Sequence, residues 1–567
     1  MRFRRFKQDS STGTAGSGSA INRADRDTGA FRAESGSGSA FCRADRDTGA
    51  ALIGLDLGTS ALKAVGLCGD KIFARASSAV RYNADGPRLE FDAEEHYVQT
   101  ASLIKEIWGR KPDGAACAGI CISSASGNTL LTDASGKPLI PVISWRDARQ
   151  THETERLFGA GGTEQVYRLT GWPYSGSFPL AHLSWLACHR RELLKNAGMV
   201  CLSADYINFR LTGNWAIDNS TATTFYLQDQ LNGRWHEPFL KALDLSRDRL
   251  PALMRTGEAA GVLTGEASTV TGLPAGTPVI LGSFDHPSAA RGAGVLEPGE
   301  MMLSCGTSWV CFYPHKDRDA ILANGLLCDP FLAPDGPYAG MRALTNISAK
   351  IDAVLEYIFA DSHGTDGSAG SAGKNGGDNE VGDNSGEEER GDNGGGKAEI
   401  YAEFDKLARG AEPGSCGLII NPMDVAGCAD TGCATGGLAE IVRKYRKENI
   451  CRALMEGAGY LLRAETETLC NRGFPADRIT MVGGPSLTDP WPQIICDILG
   501  RPIKTVNGAY AGAVGAALTA GIAAGVYGGY AEAAKRVAGD VRTREPDGGH
   551  TAVYKDGYEK FQNLFAK

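Results

Sequence analysis

The sequence contains no uninterrupted apolar run of the ~18 to 20 residues that a bilayer span requires, so no transmembrane helix is expected. Its basic start (Arg2, Arg4, Arg5, Lys7) is not followed by an apolar signal core, and secretion is not expected either. There is no stripe of Lys and Arg, and the net charge is −9. Nucleic acid and anionic membranes are therefore not expected as main partners, because such surfaces recruit clustered cations. The fifteen cysteines lack the short paired spacings of a zinc site or a disulfide framework. The nearest cluster, Cys416, Cys428 and Cys433, has no matched histidine. These thiols read as reduced, in a cytoplasmic protein.

What is present is enough for two cores: 567 residues, of which 42% are hydrophobic. Residues 16–30 and 36–50 are near-duplicates, sharing Gly-Ser-Gly-Ser-Ala and Arg-Ala-Asp-Arg-Asp-Thr-Gly-Ala, in a composition too polar to fold alone. Residues 1–50 are thus expected to be a disordered tail. The tract 361–397, rich in Gly, Asn, Asp, Glu and Ser, reads as a disordered surface insertion. Strand-like runs over 52–67 and 118–131 alternate with helical patterns over 94–108, 180–194, 347–359, 449–471 and 491–499, the mark of an α/β layer architecture. A domain boundary is expected near 292–300.

Two copies of one pattern stand out. An apolar run over 51–57 leads into Gly58-Thr59-Ser60 and a second run over 61–67; Met301, Met302 and Leu303 lead into Gly306-Thr307-Ser308 and an apolar run over 309–312. Each reads as a β-hairpin whose turn can converge backbone N–H and side-chain O–H groups on phosphate oxygens. Gly, Thr and Ser are ordinary turn residues, so the context matters. Asp56 precedes the first loop, where a carboxylate can hold Mg²⁺ directly or through water, or simply cap a turn; Lys63 follows at a spacing that permits phosphate contact. Two such loops suggest a nucleotide held between two related halves.

Asp285 ends the apolar run 278–284 near the expected boundary. Phosphoryl transfer to an alcohol requires in-line positioning, charge neutralisation and a carboxylate to take the hydroxyl proton, and Asp285 fits the last role. It equally fits a helix cap, since Pro287 and Ser288 can begin a helix. His286 beside it is a substrate contact or a packing residue. A further apolar run, 479–482, leads into Gly483-Gly484 and then Trp491, Gln493 and Asp497; glycines there let backbone approach a flat ring, as in an adenosine pocket, or make a plain turn. Gly512, Gly515 and the small residues to Ala520 read as a tightly packed helix beside that pocket.

Together these residues resemble the FGGY family of carbohydrate kinases, over about 52–524. The resemblance implies two ribonuclease-H-like domains, of actin and Hsp70 type, around a central ATP cleft. It assigns 51–294 to an N-terminal domain with the sugar site and first phosphate loop, 295–540 to a C-terminal ATP-binding domain, and 541–567 to a C-terminal extension. It implies that Gly58, Thr59, Ser60 and Lys63, with Gly306, Thr307 and Ser308, hold phosphates, that Gly483, Gly484 and Gln493 hold adenosine, and that Asp56 binds Mg²⁺. Asp285 stands where the family carries its base. The segment Trp145-Arg146-Asp147-Ala148-Arg149 is similar to the family's Trp-x-Asp-x-Arg beside the sugar. The family's Ser-Gly-Gln-Met-His-Gly reads Ser123-Ser124-Ala125-Ser126-Gly127-Asn128, so its sugar-contacting histidine falls on Gly127. An enlarged pocket is expected there, with Ser126 and Asn128 supplying replacement contacts.

The expected activity is ATP-dependent phosphorylation of a sugar hydroxyl, with a pentulose or related polyol favoured and Mg²⁺ as cofactor. A homodimer stays open. The rivals are an actin- or Hsp70-like ATPase acting on a protein, against which the Trp145 to Arg149 segment speaks, and a non-catalytic sugar sensor, against which Asp56 and Asp285 speak.

Overall fold

The structure, a computed structural model, describes residues 49–149, 153–306, 308–344, 347–359, 394–424, 438–506, 508–537, 539 and 541–565. Nearly all of the duplicated tail, the stretch 361–393 of the insertion, Cys428 and Cys433 lie outside the described residues. From Gly394 the chain is helical to Arg409, so the expected insertion overruns its end by four residues.

Two sheets repeat one plan. In the first, β1 (Ala50–Leu57), β2 (Ala61–Cys68) and β3 (Lys71–Ala79) form an antiparallel meander. β4 (Ala116–Ser124) pairs in parallel on the other side of β1; β5 (Ala259–Val262) and β6 (Pro278–Phe284) complete the sheet, β6 parallel to β4 and β5 antiparallel at the edge. In the second, β7 (Gly299–Cys305), β8 (Trp309–His315) and, after the edge strand β9 (Leu327–Asp329), β10 (Tyr338–Leu344) form the meander. β11 (Ala476–Gly483) and β12 (Ile503–Thr505) add in parallel beside β7, and β13 (Arg542–Arg544) closes the far edge. Both expected hairpins are present, β1 with β2 and β7 with β8.

β1 reads Ala-Ala-Leu-Ile-Gly-Leu-Asp-Leu without polar alternation because helices cover both of its faces. One is α1 (Ala93–Gly109), started by Asp92, whose carboxylate accepts the Glu95 N–H at 2.8 Å, and buried along Tyr97, Ala101 and Ile104. α2 (Asp285–Ala293) follows β6 directly. In the second half, α3 (Lys447–Cys470) and α4 (Trp491–Leu499) pack on its sheet. α5 (Ala511–Ala523) was expected beside the adenosine pocket, but its covering role is for the first sheet: Ala513, Val514 and Ala517 form one core with Leu52, Val65, Cys121 and Ile280. Its small residues permit this approach. A Cβ at Gly54 would sit 1.9 Å from the Ala513 carbonyl oxygen, and one at Gly515 would sit 1.8 Å from that of Ser288, so α5 crosses both β1 and α2 at backbone distance. The Ser288 hydroxyl donates to the Gly512 carbonyl at 2.8 Å at the same crossing.

The last segment is no appendage. β13 extends the second sheet, and α6 (Gly548–Phe565) buries Tyr554, Tyr558 and Phe561 in its core. Arg452, paired with Glu456, donates to the Tyr554 hydroxyl at 2.7 Å and to the Ala411 carbonyl at 3.0 Å, tying α6 to α3. The single helix expected over 180–194 is two, Pro179–His189 and Arg191–Asn196, divided at Arg190. No described helix is long and apolar enough to cross a membrane.

Gly54→Ala is expected to destabilise the protein by about 2 kcal/mol or more, because its Cβ would meet backbone that cannot swing aside. Gly109→Ala, with open space around it, should change stability by less than about 0.5 kcal/mol. Urea unfolding midpoints of the two variants check the pair.

Candidate functional site

β1 and β6 both run parallel to β4, so their carboxyl ends reach the same edge of the sheet. That edge carries Asp56, the next-to-last residue of β1, and Asp285, the first residue after β6. Asp56 is 9% exposed, and its Oδ1 has no hydrogen-bond partner. Burial, reinforced by the charge of Asp285, pushes its carboxyl up to about 7, against the opposing pull of Lys63 and Ser123. Lys63 stands directly across the hairpin from Asp56. Gly512 closes the other side: a Cβ there would lie 2.5 Å from Asp56 Oδ2. A buried carboxylate oxygen without a partner, facing a second carboxylate, is an arrangement that a divalent cation neutralises. Asp56 is therefore a residue that would fit a Mg²⁺, directly or through water. Among the described residues no group of three or more His, Cys, Asp or Glu side chains gathers to hold a metal alone.

Asp285 is not a helix cap of the usual kind. Phe284 takes the cap position, and the Asp285 carboxylate accepts the adjacent His286 N–H at 2.7 Å. Its side chain stays a quarter exposed, within reach of solvent or a ligand. The His286 ring packs edge-on against Phe284, with centroids 5.4 Å apart.

The first loop is braced from outside the hairpin. The Trp145 indole donates to Thr59 Oγ1 at 3.1 Å, the Tyr82 hydroxyl donates to the Thr59 carbonyl at 2.9 Å, and the Ser60 carbonyl accepts the Val80 N–H. Beside Gly58 and Thr59 lies a small pocket whose walls include Tyr82, His96, Asn128, Ser144, Trp145 and Ser203. His96 is a pocket residue that sequence reasoning missed. Both of its ring nitrogens are buried without partners, and burial lowers its pKa to about 4, so the imidazole is neutral. Its only signal in the sequence is a place on the apolar face of α1, the usual position of a core histidine.

The other sugar-site candidates are largely engaged with the protein itself. Ser126 Oγ accepts the Thr224 hydroxyl at 2.9 Å. The Asn128 side chain donates to Ser203 Oγ at 3.0 Å and accepts the Ser203 N–H at 2.8 Å, fixing the start of the helix Ser203–Thr212. Asp147 is fully buried. Its carboxylate accepts the Leu89 N–H at 2.8 Å and the Arg149 Nε–H at 2.9 Å, and Arg149 also pairs with Glu90. Burial alone would raise the Asp147 pKa, and the bonds from Arg149 and Leu89 outweigh it. The enlarged pocket expected at Gly127 does not exist: Gly127 has φ +91°, and a Cβ there would lie 2.3 Å from the Phe178 ring, which fills the space.

In the second half the Gly306 carbonyl accepts the Ser348 hydroxyl at 2.8 Å, and the Gly306 N–H donates to the Ser308 carbonyl at 3.3 Å. Thr307 lies outside the described residues. Gly483 has φ +96°, and a Cβ there would come within 2.1 Å of the carbonyl oxygen of Cys305, the residue before Gly306. Close strand packing alone requires a glycine at 483; Gly484 has open space around it. Trp491 is a core residue, set against Trp309 with ring centroids 5.3 Å apart. The Gln493 amide donates to Asp497 Oδ1 at 2.8 Å and to the Glu545 carbonyl at 3.0 Å, so it anchors the C-terminal segment. The structure thus brings Asp56, Lys63 and Asp285 together and sets Thr59 with Trp145. It directs Ser126, Asn128, Asp147, Arg149 and Gln493 to bonds within the protein.

Comparison with known proteins agrees with this layout. Residues 51–292 match the family model of the N-terminal domain of the FGGY family of carbohydrate kinases, and residues 301–524 match that of its C-terminal domain. Autoinducer-2 kinase of Escherichia coli (strain K12) is 25% identical over 528 residues, 91% of this chain and 94% of that protein. The Salmonella typhimurium enzyme of that name is 26% identical with the same coverage. Among solved structures, xylulose kinase from Rhodospirillum rubrum superposes with a TM-score of 0.73 at 24% identity, covering 91% of this chain and 98% of that one. Gluconate kinase from Lactobacillus acidophilus gives 0.72 at 20% identity, with 92% and 99% covered. The expected fold class, two ribonuclease-H-like domains of actin and Hsp70 type, is the one found.

Near the pocket, His182 bonds Thr129 Oγ1 through Nδ1 at 2.8 Å, and burial lowers its pKa to about 3 from an ordinary 6.5. The unfolded chain protonates this imidazole near pH 6.5 and the folded one only near 3. Its contribution to stability is therefore complete above 6.5 and declines as pH falls toward 3. Between pH 6.5 and about 5 the loss should be roughly 2 kcal/mol. Urea midpoints near neutrality and near pH 5 should show a slope that is shallower by that amount in His182→Gln.

Proposed function

Since the chain belongs to the FGGY family of carbohydrate kinases, and so transfers a phosphoryl group from ATP to a sugar, we propose that Asp285 is the base that takes the proton from the accepting hydroxyl. The observation that carries this reading is the meeting of Asp56 and Asp285 at one sheet edge, beside the Gly58-Thr59-Ser60 loop. Gly58, Thr59, Ser60 and Lys63 bind the phosphate chain from the first half, and Gly306, Thr307 and Ser308 bind it from the second. Gly484 borders the adenosine. Asp56 holds Mg²⁺, which when bound supplies charge neutralisation on the phosphates. The accepting oxygen approaches the γ-phosphorus in line as its proton passes to the Asp285 carboxylate, the P–O bond to the β-phosphate breaks, and ADP leaves. The first half and the second, which includes the C-terminal segment, close on the cleft and exclude water, a competing acceptor.

The acceptor is a pentulose or a related polyol. Hexonates and deoxy-sugars stay among the candidate acceptors. Autoinducer-2, the molecule for which the curated relatives are named, belongs in the panel of candidates.

The test is ADP release with Mg·ATP across ketoses, aldoses, polyols, sugar acids and autoinducer-2. One sugar should stimulate strongly, and Asp285→Asn should reduce that stimulated rate by about 10² to 10⁴ while leaving ATP affinity unchanged. Undiminished turnover in Asp285→Asn would remove it from the mechanism. Steady ATP hydrolysis indifferent to every acceptor would favour a protein-directed ATPase instead.

A further inference from the structure

The turn that delivers Asp285 is gripped by buried polar groups from both halves of the chain. The N–H of Phe284, the residue before Asp285, donates to Ser220 Oγ at 3.1 Å. The Ser220 hydroxyl in turn donates to Asp329 Oδ2 at 2.7 Å, and Asp329 Oδ1 accepts the Phe331 N–H at 2.7 Å. The Phe331 carbonyl accepts from Arg291 Nη2 at 2.7 Å, and Arg291 Nη1 donates to Ser283 Oγ at 2.6 Å, two residues before Asp285. The chain of bonds therefore leaves the base-bearing turn at Phe284 and returns to it at Ser283. Ser220, Ser283, Arg291 and Asp329 are each no more than 1% exposed. Ser220 is itself fixed, since its N–H donates to Asp218 Oδ1 at 2.9 Å.

Two features set this network apart from ordinary core satisfaction. Phe284 occupies the cap position of α2 with no side-chain cap bond, so the start of the helix that carries Asp285 is anchored by the Ser220 hydroxyl on the peptide just before it. Asp329, which directs that hydroxyl, belongs to β9 in the second sheet, whereas Ser220 and Asp285 belong to the first half. With its proton committed to Asp329, the Ser220 oxygen presents a lone pair to the Phe284 N–H.

We propose that Ser220 and Asp329 are positioning residues for the phosphoryl transfer: a hydroxyl–carboxylate pair contributed by the two halves that sets the place of the Asp285 carboxylate. The inference rests on the reading of Asp285 as the base. A carboxylate displaced by about 1 Å from the accepting hydroxyl forfeits on the order of 100-fold in rate, while ATP and sugar still bind through groups elsewhere. The effect therefore falls on kcat and spares KM. Because one member of the pair lies in each half, the base is fully placed only while the halves are engaged as they are here.

The experiment measures kcat and both KM values for sugar-dependent ADP release in Ser220→Ala, Ser220→Thr, Asp329→Asn and the double variant Ser220→Ala with Asp329→Asn, alongside urea midpoints. Ser220→Ala should lower kcat by about 10- to 100-fold with sugar and ATP KM values within about twofold of the parent. Ser220→Thr, which restores the hydroxyl, should recover most of the loss. The double variant should be no slower than the slower single one, because both act through one bond. A Ser220→Ala kcat equal to the parent's, a Ser220→Thr no better than Ser220→Ala, or losses that multiply in the double variant would overturn the proposal. If Ser220→Ala does not fold, the near-isosteric Asp329→Asn decides: a fall confined to kcat supports the proposal and an unchanged kcat overturns it. A parent protein that no sugar stimulates defeats the kinase reading and this inference together. Sugar stimulation lost in Asp285→Asn but kept in the Ser220 and Asp329 variants defeats this inference alone.

Discussion

The parallel course of β1, β4 and β6 sends two acidic residues to one edge of a sheet, where they oppose each other. A buried carboxylate near another is unfavourable: burial first, and the charge of Asp285 second, raise the pKa of Asp56. Much of the surrounding construction manages it. Lys63 sits across the hairpin, Gly512 brings a helix from the far end of the chain against Asp56 without a side chain between them, and one Asp56 oxygen is left without a hydrogen-bond partner. The same pairing of buried acidic groups that costs stability also gives this edge its chemical character.

The parts of this design legible in the sequence were those with local signatures. Gly58-Thr59-Ser60 and Gly306-Thr307-Ser308 lie between apolar runs that form the hairpins expected, and the run 278–284 does deliver Asp285 to the sheet edge. The helices expected over 94–108 and 449–471 form within two residues of those bounds. Periodicity and turn chemistry act over a few residues, and such features survive folding unchanged.

What escaped was set by partners distant in sequence. Gly127 suggested a vacancy, but the vacancy is filled by Phe178, and nothing at either position announces the other. Gly483 resembled a surface for a base, whereas its lack of a side chain serves the Cys305 carbonyl of a neighbouring strand. Asn128, Asp147 and Gln493 looked available because a polar side chain in a motif reads the same whether it meets a ligand or the chain. Their partners at Ser203, Leu89 and Glu545 appear only once the fold is closed. Ser220 and Asp329 carried no motif at all; their meaning lies wholly in a contact across 109 positions.

The placement of α5 has a consequence for biosynthesis. One face of the first sheet, with Leu52, Val65 and Cys121, is covered by Ala513, Val514 and Ala517. Those residues are translated long after the strands they shelter. During synthesis the first half can form its hairpins and seat α1, yet it must wait with one apolar face bare until the ribosome is close to finishing. The core of the first half is therefore closed by a helix that arrives from the far end of the chain, late in synthesis.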